Sequence, residues 1–182
     1  FSESYAGTRH TTSAFFKIKK WTFENQGSFL NSDATTSTSK FIRNQTRTKY
    51  HFGKNWIGAS MQLEDNQEKD KTTNQFSALS QRFSEYGAFI GRGDSTKVFA
   101  EIGFLQRRND SLQNGLLQHV NNSQTYYLKS KLIQNKKTNL AVYMSYRNLD
   151  FTDPNRSNEP SLNSRILYND RFFNQLMQIG TT

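Results

Sequence analysis

Short, turn-prone polar clusters punctuate this chain at nearly regular intervals, and that spacing constrains the fold more than any other feature. They fall at Lys19-Lys20, Gly53-Lys54-Asn55, Arg92-Gly93-Asp94-Ser95 and Asn135-Lys136-Lys137. Gly53 and Gly93 lie 40 residues apart, and Gly93 and Asn135 lie 42 apart. Longer polar stretches sit about midway: Asn31 to Ser39, Asn66 to Gln75, Asn109 to Gln118 and Asp150 to Ser161. Between turn and stretch the residues alternate in polarity, the period of a half-buried strand. The pattern predicts strands over 3–16, 21–31, 40–52, 56–65, 76–91, 96–108, 119–134, 138–150 and 161–176. Tight turns at one end and long loops at the other make an all-β, antiparallel up-and-down meander. Its strands are about twice the usual globular length of about 5–6 residues. They suit a transmembrane β-barrel, or part of a larger one, where about 9–11 residues cross the hydrocarbon.

The alternation is clearest in three strands. Ile57, Ala59, Met61 and Leu63 oppose Trp56, Gly58, Ser60, Gln62 and Glu64. Val98, Ala100, Ile102 and Phe104 oppose Lys97, Phe99, Glu101, Gly103 and Arg107. Leu140, Val142, Met144 and Tyr146 oppose Asn139, Ala141, Tyr143, Ser145 and Arg147. Strand 40–52 is less regular: Ile42, Asn44, Thr46, Thr48, Tyr50 and Phe52 share one face, which is polar for a lipid contact. Either protein covers that face or the strand leans beyond the bilayer.

Aromatic residues crowd the turn ends. Phe15, Trp21, Phe23, Tyr50, Phe52, Trp56, Phe89 and Phe99 are the candidates for a membrane-interface belt, since amphipathic rings favour headgroup depth. The plain alternative is strand propensity and cross-strand pairing.

Composition agrees with sheets that keep one face wet. The hydrophobic share is 34% while aromatics reach 14%, a combination unlike disordered chains, which lack aromatics. There is no cysteine, which excludes disulfide staples and thiolate metal sites. The formal charge is +9, compatible with nucleic acid, anionic lipid, lipopolysaccharide or a cationic lumen. No apolar run reaches the roughly 18 residues of a membrane helix. Pro154 and Pro160 are the only prolines and share one expected loop. Nine strands is an odd count, and an open sheet leaves two bare edges. Both features point to residues 1–182 being one segment of a longer barrel chain.

The motifs carry little chemistry. Arg92-Gly93-Asp94 reads as turn chemistry before it reads as an adhesion ligand. Ser111, in Asp110-Ser111-Leu112, is the candidate O-glycosylation site, with Ser95 a weaker one in a tight turn. Asp65, Glu68 and Asp70, or Asp150, Asp153 and Glu159, have oxygen ligands for calcium but not the spacing of a calcium-binding loop. His10, His51 and His119 fall in separate segments, although His10 and His51 are placed to approach across adjacent strands. Glu64 and Glu101 read as counterions to Arg82, Arg107 and Arg147 rather than as acid–base catalysts. No catalytic residue, cofactor or metal is assigned.

Several phrases resemble a known group. Trp21-Thr22-Phe23-Glu24-Asn25-Gln26-Gly27-Ser28-Phe29, Phe83-Ser84-Glu85-Tyr86 and the run from Gly93 to Gly103 resemble large, mostly uncharacterised outer-membrane β-barrel proteins of Bacteroidota, especially flavobacteria. The resemblance implies an outer-membrane location, a signal peptide upstream and a closing strand with an aromatic terminus downstream. Gly180-Thr181-Thr182 departs from such a closing strand. It implies partners in outer-membrane lipid, lipopolysaccharide, other envelope proteins and the remainder of the same chain, and it carries over no functional residue.

The leading expectation is therefore a barrel segment with a structural, transport or secretion/assembly role and no catalysis. The alternative is a soluble extracellular or periplasmic β-sheet module that binds glycans or partner proteins. Nucleic acid is a weaker third class, resting on Arg43, Arg47 and Lys49 beside Tyr50 and Phe52.

Overall fold

The computed structural model describes residues 5–77, 80–94, 97–113, 116–134, 138–170 and 175–181. These residues form one sheet of ten antiparallel strands in strict chain order. The strands are β1 (Tyr5–Ile18), β2 (Trp21–Ala34), β3 (Ser37–Phe52), β4 (Asn55–Asp70) and β5 (Gln81–Gly93). They continue with β6 (Phe99–Gln113), β7 (Leu116–Gln134), β8 (Thr138–Phe151), β9 (Glu159–Asp170) and β10 (Gln175–Thr181). The meander expected from the sequence is the observed topology.

Turn chemistry sets the hairpins at one end. Lys19 and Gly53 both adopt positive φ, 52° and 61°, at the first position of two-residue connections. That geometry matches the right-handed twist of the flanking strands. Gly93 closes β5 at φ 114°, and Asp94 N–H donates to the Val98 carbonyl at 2.9 Å. The Arg92-Gly93-Asp94 tripeptide thus forms the end of a strand and its turn. Ser95 and the Asn135-Lys136-Lys137 cluster lie outside the described residues.

Four expectations are corrected. The segment 161–176 holds parts of two strands, β9 and β10, so the described residues form ten strands, and the inference from an odd number falls. Asn31–Ser39 is not a long loop: β2 and β3 stay paired out to Asp33↔Thr38, leaving Thr35 and Thr36 between the strands. Likewise β6 and β7 pair out to Gln113↔Leu116. Polar side chains ended the visible alternation there, but the backbone ladder does not depend on side-chain polarity and continues. Strand 76–91 also begins later, at Gln81, with Phe76 held in an isolated bridge to Lys69.

Among the described residues no second layer packs on the sheet, and no bond joins β1 to β10. β7 carries irregularities opposite Asn109/Asp110 and between Lys131 and Ile133, which add local twist.

Candidate functional site

Successive side chains of a strand point to opposite faces, so the register assigns each residue to a face. One row across β3 to β9 runs Arg47, Ser60, Gly87, Leu105, Thr125, Arg147 and Ser161. The next row runs Thr48, Ala59, Ala88, Phe104, Tyr126, Tyr146 and Leu162 and belongs to the other face. The first face is polar and the second is mainly apolar.

Burial is inverted relative to a water-soluble sheet. Trp56, Phe89, Glu101, Thr22 and Ser123 are buried, and all of them lie on the polar face. The apolar face is bare: Ile57 is 52% exposed, Ile102 56% and Leu162 58%.

Ion pairs organise the polar face. Arg43 Nε donates to Glu64 Oε2 at 2.7 Å, and Arg107 Nε to Glu85 Oε2 at 2.8 Å. Lys49 Nζ lies 3.4 Å from Glu24 Oε1. At the centre, Glu101 accepts from Arg47 Nη2 at 2.6 Å, Trp56 Nε1 at 3.0 Å and the Tyr127 hydroxyl at 3.2 Å. Arg47 also lies 4.0 Å above the Phe89 ring. Arg47 is on β3 and Glu101 on β6, strands about 14 Å apart in a flat sheet. Long side chains close that span by lying along the face, which crowds it.

Glycines make room for the crowding. Trp56 faces Gly91, Phe89 faces Gly58 and Gly103, and Tyr127 faces Gly103, each as a register partner. A Cβ on Gly91 would fall within the Trp56 ring, and one on Gly103 within the Tyr127 ring. Aromatic cover of strand glycines in this way pins register. Gly91→Ala is expected to cost about 1–3 kcal/mol through overpacking. Its urea midpoint should fall, and pairing it with Trp56→Leu should recover part of the loss.

The apolar face is a band with sharp limits. On β4 it runs from Ile57 to Leu63, bounded by Asn55 and by Asp65. Asp65 is paired with Arg82 at 2.5 Å. Ile57 to Leu63 is six residue steps, about 20 Å along the strand, and the polar limits Asn55 and Asp65 stand ten steps, about 33 Å, apart. The band also drifts across the sheet. Its midpoint on β4, between Ile57 and Leu63, is Ser60, whose row reaches Arg147 on β8. On β8 the band runs from Leu140 to Tyr146 with its midpoint at Tyr143, four residues nearer the turn end (147 − 143). Four residues over four strand spacings is about 13 Å over about 19 Å, an angle of about 35° between band and hydrogen-bonded rows.

The band is interrupted on β2 and β3. There Asn25 Nδ2 donates to Thr46 Oγ1 at 2.8 Å and to Asn44 Oδ1 at 3.2 Å, while Thr46 Oγ1 donates to Asn44 Oδ1 at 3.3 Å. The polar side chains that mark strand 40–52 in the sequence satisfy one another.

The aromatic candidates divide between the faces. Trp21, Phe23, Tyr50 and Phe52 share the apolar side as a stack, with Trp21 and Tyr50 centroids 5.0 Å apart. Phe15, Trp56, Phe89 and Phe99 lie on the polar side, where Phe99 tilts against Trp56. Ser111 is half-buried in β6, between Gln81 and Gln118, rather than in a loop. His10 stacks on Phe29, whose row partner on β3 is Ile42, nine residues from His51 (51 − 42), so the two histidines do not meet. His51 Nε2 instead contacts Thr22 Oγ1 at 3.1 Å, and His119 Nδ1 contacts Asp110 Oδ1 at 3.1 Å. Asp70 ends β4 and accepts from Thr73 and Thr72 N–H groups, which hold its carboxyl below the usual range. Asp153 accepts from Asn155 N–H at 2.9 Å. Among the described residues no cluster of three or more His, Asp or Glu is placed to hold a metal.

No protein-family model matches this chain, and no curated protein matches it in sequence. Among solved structures, the crystal structure of the beta domain of the Bordetella autotransporter Brka is similar at 11% identity and a TM-score of 0.39. The likeness covers 91% of this chain and 76% of that one. At that level it does not extend to closure or function.

Proposed function

We propose that this chain is a membrane-spanning segment of an outer-membrane β-barrel with a structural, transport or assembly role and no catalysis. The observation that carries this is the bare, oblique apolar band. A strand tilted by about 35–45° must carry a band that runs obliquely to its hydrogen-bonded rows. At a tilt of about 40° the polar limits of the band on β4, Asn55 and Asp65, about 33 Å apart along the strand, are separated by about 25 Å of bilayer depth, the height of an outward-facing barrel belt. Across six strands, β4 to β9, an apolar stretch about 20 Å long covers about 600 Å², the upper end of the largest apolar patches on soluble monomers. The Trp21, Phe23, Tyr50 and Phe52 stack lies at the turn-end limit of that face, where an interfacial girdle belongs. Lipid and lipopolysaccharide are the partners this geometry suits.

Detergent dependence tests the proposal. The refolded chain is expected to stay monodisperse only with an amphiphile present. A folded monomer in plain buffer would favour the soluble alternative, to which the Asn25–Asn44–Thr46 cluster lends its support.

That cluster gives a second test. In hydrocarbon, Thr46→Val removes the nearer of the two acceptors of Asn25 Nδ2 and is expected to cost about 1–3 kcal/mol, whereas replacing Asn25, Asn44 and Thr46 together by apolar residues is near neutral. Facing water, the single change should stay within about 0.5 kcal/mol. Urea unfolding in lipid vesicles separates the two.

A further inference from the structure

Charge on the polar face is distributed unevenly. On β2 to β6, Arg43, Arg47, Lys49 and Arg107 each meet a carboxylate: Glu64, Glu101, Glu24 and Glu85. On β7 to β9 the same face presents Lys129, Lys131, Arg147 and Arg165, and among the described residues none of the four has an ionic partner. Glu101 sits beside Lys129 in the register but is turned toward Arg47, Trp56 and Tyr127. The carboxylate of this sector is Glu159, at the loop end, where Arg156 pairs with it at 3.3 Å.

The four cations form a strip along the strands. Lys129 and Arg165 share one row through Tyr143, Lys131 stands one same-face step toward the turns, and Arg147 stands opposite Thr125 toward the loops. From Lys131 to the Thr125 row is six residues, about 20 Å along the strand. Between them lie neutral hydrogen-bonding groups, Ser145 and Asn163. Two recesses flank the strip: one of about 390 Å³ bordered by Lys129, Lys131, Tyr143 and Arg165, and one of about 280 Å³ bordered by Arg107, Arg147, Ser161 and Asn163.

Resting on the barrel reading, we propose that the polar face of β7 to β9 is a conduction strip for small anions. Unpaired cations spaced along a wall of low dielectric raise the local anion concentration, and hydroxyls and amides between them replace part of the hydration shell. The paired half of the face contributes nearly no net charge, so selectivity belongs to these four residues.

Reversal potentials in planar bilayers under a potassium chloride gradient test this with the full chain. The native protein is expected to favour chloride over potassium by about threefold or more. A variant combining K129Q, K131Q, R147Q and R165Q should pass ions with a ratio near unity, while one combining R43Q, E64Q, E85Q and R107Q should keep the preference. If the first variant does not insert, K129Q and R147Q singly should each lower the ratio. A preference for potassium, a ratio unmoved by removal of the cations, or an inserted, protease-protected chain that carries no current overturns the strip and leaves the membrane reading standing. Failure of the native chain to insert overturns that reading first.

Discussion

Glu101→Leu is expected to destabilise the folded chain by about 3 kcal/mol, the largest single loss on the polar face. Glu101 is 5% exposed and accepts three hydrogen bonds from three different strands. Removing it strands the Arg47 guanidinium over Phe89 and leaves the Trp56 indole N–H without an acceptor. The loss belongs at the low end of the range for a broken buried pair, because Arg47 keeps 26% of its side-chain surface in contact with solvent. Converting both partners, Glu101→Leu with Arg47→Met, should recover at least half of the loss, since no unpaired charge remains. The exposed Arg156–Glu159 pair provides the contrast: Glu159→Ala should change stability by less than about 0.5 kcal/mol. Urea unfolding of the lipid-reconstituted chain, followed through Trp56 fluorescence in a Trp21→Phe background, measures all three.

Ile102→Arg addresses the other face. Ile102 lies in the middle of the apolar band, between Ile90 and Leu128 in the register. At the midplane of a bilayer an outward arginine is expected to cost about 2–4 kcal/mol, falling to about 0–1 near the interfaces. Leu63→Arg, at the band's edge beside Asp65, should therefore be mild. Thr125→Arg on the polar face, directly opposite Arg147, keeps its charge out of lipid and should cost less than Ile102→Arg, about 1 kcal/mol or below from like-charge repulsion. Equal costs for Ile102→Arg and Leu63→Arg would mean that depth in a bilayer does not govern this face.

The legible part of the molecule was its parity. Once Gly53-Lys54 pins a turn, Ile57, Ala59, Met61 and Leu63 must share a face, and they do. The same rule was available for the aromatics but needs parity rather than proximity. Trp56 follows a turn as closely as Trp21 does, yet register puts it among the polar side chains, where its N–H finds Glu101. The long polar stretches concealed strand continuation because polarity marks where the apolar band ends, not where backbone pairing ends. Asp33↔Thr38 and Ser111↔Gln118 remain paired well past that limit. Asn114-Gly115 is a hairpin signal in the sequence, set within the stretch Asn109–Gln118. The Arg47–Glu101 contact had no signal at all: the two residues are 54 positions apart and three strands distant. Nor does any single strand show the 35° drift of the band, which emerges only when the registers of several strands are laid side by side.

The chain contains no cysteine, so single nitroxide labels can be placed cleanly along β4 and β8. Oxygen accessibility of labels at positions 57 to 63 and 140 to 148 in lipid vesicles tests the central claim most directly. A tilted bilayer-spanning sheet predicts maximal accessibility between Ala59 and Met61 on β4 and between Val142 and Met144 on β8. Maxima that follow the hydrogen-bonded row to Tyr146 and Asn148, or labels equally open to water along both strands, would contradict it.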